Sequence, residues 1–179
     1  MAKTIFLSIW HDWWKWDQWA VGNWTTEAIE AKKIVDGVIA KGVPWIKLVK
    51  VPEWLTLVQR IDWINKQILL APEPFALEFH LDSWPKTARW ASVWYCGGNE
   101  YTPIEWKQFL ATFTRVTGEP SRHVNPDTAD RLGRLGFVRD VKCAALLVEL
   151  WFISNTKDLE TIRTKAIEWV RAGIFEMNK

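Results

Sequence analysis

Four side chains in this sequence have the types and positions to do chemistry: His11, Glu27, His80 and Glu149. His11 lies just past the apolar, β-branched run Thr4–Ile9. In Phe75-Ala76-Leu77-Glu78-Phe79-His80-Leu81-Asp82 the alternation of a strand puts Glu78, His80 and Asp82 on one side and Leu77, Phe79 and Leu81 on the other. His80 then falls near the strand's end. Glu27 sits in the first turn of a helix, and Glu149 is the one charge in the apolar run Ala144–Ile153. Glutamate is almost never buried without a partner, so a cation or a catalytic role would explain its place. Two imidazoles and a carboxylate from three separate elements, with a fourth position open, make a usual catalytic zinc set. Zinc would bring the pKa of its water down to about 7. Glu149, outside the ligand set, would then take that water's proton and pass it to a leaving amine.

Each residue also has a plainer reading. His11 fits a polar loop residue, Glu27 a charge favoured by the helix dipole, and His80 a hydrogen-bonded interior histidine. A buried pair with Arg131 or Arg139 would serve Glu149 as well. His123, in a Pro-flanked loop, reads as exposed, and Asp82 and Asn155 as substrate-orienting residues or turn closers.

The elements that must position these groups alternate strand and helix. Thr4–Ile9 reads as a strand, followed by a loop over Trp10–Trp24. Thr25 or Thr26 can cap a helix over Glu27–Lys41, with Ile29, Ile34, Val35 and Val38 on one face and Gly42 as terminator. Trp45–Val51 is a second strand, and Leu55–Leu70 a helix with Leu55, Val58, Ile61, Ile64 and Ile68 at helical spacing. Phe75–Leu81 and Ala91–Tyr95 are the next strands, and Ile104–Val116 is helical. Pro120–Pro126 is read as loop and Asp127–Leu135 as a short helix ended by Gly136. Cys143–Ile153 is the most apolar segment, a strand covered on both faces. Ser154–Thr156 cap a last helix, Lys157 to about Phe175. This order predicts an α/β fold, a single domain over 1–179 with a mostly parallel sheet and helices on both faces. In such sheets the site lies beyond the carboxyl ends of the strands, where the four residues fall.

The chain has 179 residues, 49% of them hydrophobic and 25% charged, which fits a globular domain with a real core. A net charge of +2 gives no footprint for nucleic acid or an anionic membrane. The apolar run at the N-terminus is too short for a signal peptide before His11 and Asp12, and no stretch is long enough to span a membrane. Cys96 and Cys143 form no C-x-x-C pair; a disulfide between them stays open.

Four segments in order carry a resemblance: Ile5-Phe6-Leu7-Ser8-Ile9-Trp10-His11-Asp12, Asn23-Trp24-Thr25-Thr26-Glu27-Ala28, Glu78-Phe79-His80-Leu81-Asp82-Ser83 and Leu146–Asn155. Together they resemble the zinc-dependent N-acetylmuramoyl-L-alanine amidases of the Amidase_3 type, over nearly the whole chain. The resemblance implies an α/β peptidoglycan hydrolase with one catalytic Zn2+, held by His11, Glu27 and His80, with Glu149 as the catalytic glutamate. It also implies a single catalytic domain with no separate wall-binding domain. The protein would be made in the cytoplasm without a signal peptide and act on the cell wall after release, as a phage endolysin does. Two other readings compete: a zinc peptidase of related fold, and a catalytically inactive wall- or glycan-binding module that needs neither metal nor Glu149. A nucleic-acid module built on stacking tryptophans is the weakest reading, because no basic groove accompanies them.

The departures from the family are systematic. Trp10 and Trp151 stand where the family has glycine, Trp13, Trp14, Trp16 or Trp19 fall in a loop that is glycine-rich there, and Asp82 replaces an asparagine. Trp24, Trp84 and Trp90 fall at turn positions. The chain carries 15 tryptophans and 9 glycines, an inversion of ordinary usage. A sugar-stacking rim would use such residues. A demand from the core explains them less well, since most are flanked by polar or loop residues. The third account is decoding: UGA codons, read as tryptophan in this sequence, are glycine in some bacterial lineages and their phages. That account is favoured, with Trp63, Trp94 and Trp169 as genuine tryptophans. It expects tryptophan at 10 and 151 to strain or clash.

Overall fold

A computed structural model describes residues 2–10, 21–83, 89–98, 103–131 and 133–178. Its centre is a six-stranded sheet in the order β4-β1-β5-β8-β6-β7. The strands are β1 (Lys3–Ile9), β4 (Ile46–Lys50), β5 (Pro74–Asp82), β6 (Ser92–Tyr95), β7 (Val124–Pro126) and β8 (Ala144–Phe152), while β2 (Val21–Gly22) and β3 (Thr25–Thr26) form a separate hairpin. All neighbours in the large sheet are parallel except β6 and β8. The expected single α/β domain with a mostly parallel sheet is therefore what forms.

The alternation of the strands divides the core. One face carries Ile5, Leu7, Phe79, Val148 and Leu150, and is packed with residues of α1 (Glu27–Lys41), α3 (Pro103–Thr117) and α5 (Thr156–Glu176). The other carries Phe6, Ala76, Ala145 and Leu147 under α2 (Leu57–Gln67) and α4 (Gly136–Asp140). On this second face each strand changes character along its length. Apolar residues at the amino end give way to Ser8 on β1, Glu78 and His80 on β5, and Glu149 on β8. The face is thus a core at one end and a polar mouth at the other.

The helix starts follow from local chemistry. Thr26 caps α1 through a bond from the Ile29 N–H, and Gly42 stops it at φ 63°. Thr56 and Gln59 form a capping box on α2. Asn155 accepts from the Lys157 and Asp158 N–H groups at the start of α5.

Several expectations need correction. Ile29 is 46% exposed while Glu30 is buried, because Glu30 accepts from Thr25 and from Arg163 on α5. On α2, Val58 faces solvent and the inward face is Leu57, Arg60, Ile61 and Ile64, with Arg60 tied to backbone carbonyls. The segment 120–126 ends in a strand, β7, paired to β6. Asp127–Leu135 is not a helix but a 3-10 turn, Asp127–Ala129, and an irregular stretch; Gly136 starts α4 instead of ending a helix. The cause is Asp127, whose buried carboxylate accepts from the Leu135 and Gly97 N–H groups and from Arg139, so the chain folds around it. His123, expected exposed, is half-buried with its ring edge-on to Trp94 at 6.0 Å. Both cysteines are free.

The tryptophans divide into two kinds. Trp24, Trp45 and Trp90 have φ of 62°, 61° and 80°, the left-handed region that side chains larger than glycine rarely enter. Trp24 is the clearest case. It follows Asn23, at φ 48°, in the two-residue connection of the β2–β3 hairpin. Positive φ at both central residues is the type I′ turn, whose preferred sequence is Asn-Gly. The Trp24 side chain is wholly exposed, so no packing offsets the strain. Trp151 is the opposite case. Its ring is buried against Phe113 (4.9 Å) and Trp169 (5.2 Å), so the expected clash does not arise, although its indole Nε1 finds no hydrogen-bond partner among the described residues. Trp24→Gly is therefore expected to stabilise the protein by about 1–2 kcal/mol, raising Tm by about 2–8 °C. Trp151→Gly is expected to cost about 3–5 kcal/mol through the cavity it leaves. Thermal melts of the two variants check both, and a lower Tm for Trp24→Gly would contradict the strain.

Candidate active site

The polar mouth is assembled from residues far apart in sequence. Parallel register sets His80 of β5 opposite Glu149 of β8, and the antiparallel β6 sets Ser92 on the far side of Glu149. Glu27 arrives from the first turn of α1. Its Oε1 accepts from the Leu81 N–H at 3.0 Å and lies 3.3 Å from His80 Nδ1, so it is more than a capping charge. Asn23 of the hairpin donates to the Ile153 carbonyl at 2.7 Å, which docks the approach to α1 on the end of β8. Of the four residues expected at the site, Glu27, His80 and Glu149 come together; His11 lies outside the described residues.

The electrostatics follow from crowding carboxylates around one ring. Burial disfavours a charged His80, yet bonds to Glu27 and Glu78 and the charge of Glu149 hold its pKa up to about 10. Burial pushes Glu149 up to about 7, with His80 opposing and Glu27 and Asp82 adding to the rise. No ion pair joins Glu149 to Arg131 or Arg139 among the described residues. Arg139 is instead spent on Asp127. The plainer reading of Glu149 as half of a structural salt bridge therefore has no support in the geometry.

A divalent cation suits this donor set. The separation of Glu27 Oε1 and His80 Nδ1, 3.3 Å, matches the roughly 3.3 Å between two ligands of a tetrahedral ion with bonds of about 2.0–2.1 Å. Among the described residues no third His, Cys, Asp or Glu completes a metal-binding group with them.

Beside these residues opens a cavity of about 420 Å³, whose lining includes His80, Glu149, Trp10, Trp94, Arg131 and Arg134. The Trp10 ring is stacked on His80, with centroids 5.3 Å apart, and both side chains line the cavity. Asp82 closes its own turn by accepting from the Ser83 N–H, and Asn155 caps α5, so both have the structural roles considered for them. Two groups were missed by sequence reasoning. Arg60 is buried, bonds the Ile9 and Leu55 carbonyls and lies 3.6 Å from Glu78; Ser8 donates to Glu78. A signal for Arg60 was present, since Leu57, Arg60, Ile61 and Ile64 share one helical face.

The fold matches that of solved N-acetylmuramoyl-L-alanine amidases. The structure is similar to the catalytic domain of CwlV, an N-acetylmuramoyl-L-alanine amidase from Bacillus (Paenibacillus) polymyxa var. colistinus, with a TM-score of 0.77, 20% identity and 97% of each chain covered. It is also similar to the N-acetylmuramoyl-L-alanine amidase of Clostridium difficile 630, with a TM-score of 0.78, 15% identity, and 99% of this chain and 95% of that one covered. For the N-acetylmuramyl-L-alanine amidase of Mycobacterium smegmatis the TM-score is 0.74, the identity 16%, and the coverage 99% and 98%. No protein-family model and no curated protein sequence matches the chain. Among the described residues, no helix is long and apolar enough to cross a membrane.

Asp127 fixes the wall of the cavity that carries Arg131 and Arg134, and its stability contribution has a definite pH sign. Burial raises its pKa, but Arg139 and the two backbone N–H groups outweigh this and hold it below the ordinary carboxylate value. A depressed folded-state pKa stabilises above the unfolded value, near 3.9, and that stabilisation is lost as pH falls through the folded pKa. Asp127→Ala is thus expected to cost about 3 kcal/mol at pH 7 and less below pH 4. Denaturant melts at the two pH values measure this, and an equal loss at both would refute it.

Proposed function

We propose that this protein is a zinc-dependent peptidoglycan hydrolase that cleaves the amide between N-acetylmuramic acid and the L-alanine of the stem peptide. The observation that carries the reading is the meeting of Glu27, His80 and Glu149 at the carboxyl ends of β5 and β8, in a fold shared with amidase domains. In this reading His11, Glu27 and His80 hold the metal. When bound, zinc supplies Lewis-acid polarisation of the amide carbonyl and of the attacking water. Glu149 accepts the water's proton on its carboxylate. It then returns the proton to the alanine nitrogen as the amide C–N bond breaks. Burial favours the protonated form of this carboxyl, which suits its part as the proton donor to the leaving nitrogen. The cavity beside Glu149 receives the substrate, with Trp94 offering an apolar surface and the two arginines a cationic wall. Release to the wall as a phage endolysin is the setting proposed for the activity.

The test is digestion of purified peptidoglycan, with newly freed L-alanine amino termini counted. Release is expected, abolished by a chelator and restored by zinc, and Glu149→Gln is expected to lower it by roughly 10²–10⁴-fold. Wall binding that survives both chelation and Glu149→Gln, with no release, would replace the enzyme by a binding module. Free amino termini of another residue would indicate a peptidase.

The tryptophan excess belongs to the same reading. Three left-handed tryptophans, one at the second position of an Asn-initiated I′ turn, support decoding of UGA as glycine. Trp151 is not part of that support. The coding DNA decides: UGA codons are expected at positions 24, 45 and 90, and UGG at all three would end the recoding account.

A further inference from the structure

Glu78 is the most costly residue of the polar mouth. Its side chain is wholly buried on β5, in register with Ser8 of β1 and Leu147 of β8. A carboxylate there needs partners, and those of its two oxygens differ. Oε1 accepts from the Ser8 hydroxyl at 3.3 Å and lies 3.6 Å from Arg60 Nη1. Arg60 is itself immobilised, with Nε donating to the Leu55 carbonyl at 2.8 Å and Nη1 to that of Ile9. Oε1 is therefore held by α2 and β1 together. Oε2 is left facing His80 Nε2 at 3.3 Å, and the other ring nitrogen, Nδ1, faces Glu27.

We propose that Glu78 is a positioning residue: by accepting from Nε2–H it fixes the tautomer and rotation of the His80 ring, making Nδ1 the nitrogen offered to a metal beside Glu27. This rests on the zinc reading given above. An ionised carboxylate only accepts, and each ring nitrogen faces one at 3.3 Å; with Glu27 turned to the metal, Nε2 keeps its hydrogen on Glu78 and the lone pair of the neutral ring falls to Nδ1. A carboxylate behind a metal-binding histidine is a recurrent way to orient it and raise its basicity. If the Glu78–Arg60 pair served only to pack α2 on β1, its removal would change stability and leave the metal untouched.

Two measurements separate these outcomes. In ¹⁵N-labelled protein loaded with zinc, the imidazole resonances of three histidines are resolvable, and His80 is expected to keep hydrogen on Nε2 with Nδ1 bound to metal. Metal on Nε2 would overturn the proposal, and this result needs no variant. Zinc affinity is then measured by competition with a chromophoric chelator for the wild type, for Glu78→Gln, and for Glu78→Gln combined with Arg60→Met. The double variant leaves no unpaired buried charge. Both variants are expected to bind zinc about 10–100-fold more weakly. Wild-type affinity in both would refute the role of Glu78 while leaving the zinc reading intact. A wild type that binds no zinc would refute the zinc reading and this inference with it.

Discussion

Glu27 holds the mouth of the sheet closed. Its carboxylate takes the Leu81 N–H, 54 residues away in sequence, and faces His80 Nδ1, so the first turn of α1 is pinned to the end of β5. The hairpin before α1 is fixed by Asn23 on the Ile153 carbonyl, at the end of β8. The same carboxylate supplies one of the bonds that hold up the His80 pKa and a charge that raises that of Glu149. Geometry and electrostatics at the site therefore share one support.

The same support creates a surplus of negative charge. Glu27, Glu78 and Glu149 all act on a single imidazole. Arg60 offsets Glu78, while Glu149 feels the positive charges of His80 and Arg122 against the negative charges of Glu27 and Asp82. In a poorly hydrated site such repulsion is weakly screened. It appears as a ring that resists losing its proton and a carboxyl that resists losing its own. A cation between Glu27 and His80, as in the zinc reading proposed above, would relieve both.

How much of this was legible in the sequence depended on whether the signal was local. The parallel strands were readable because they are continuous apolar runs, and Glu149 stood out because it interrupts one. Helix starts were readable from Thr26 and Asn155. What failed was set by distant partners. Asp127–Leu135 looked helical until Asp127 met Arg139 and the Gly97 N–H. The inward face of α2 was misread because Val58 was placed on it and Arg60 was not. In both places a charged side chain is buried by partners that lie elsewhere in the chain. Glu78 was placed on the right face of its strand, but its role depends on Ser8 and Arg60, which no spacing within the strand reveals.

The tryptophans show the converse, a backbone that keeps its geometry against the local side chain. The β2–β3 connection has two residues, and its register pairs Val21 with Thr26 and Gly22 with Thr25. A two-residue loop between twisted antiparallel strands favours φ > 0 at both centres, whatever occupies them. Gly22 packs its backbone so closely on Ser154 that a Cβ there would lie 2.8 Å from the Ser154 backbone. The hairpin is thus gripped by the end of β8 on one side and by the start of α1 on the other, and Trp24 carries the strain. Turn length and pairing register together give position 24 a backbone conformation that favours glycine. Trp151, packed among Phe113 and Trp169, meets no such demand. The excess of one residue type therefore has more than one physical status within the chain.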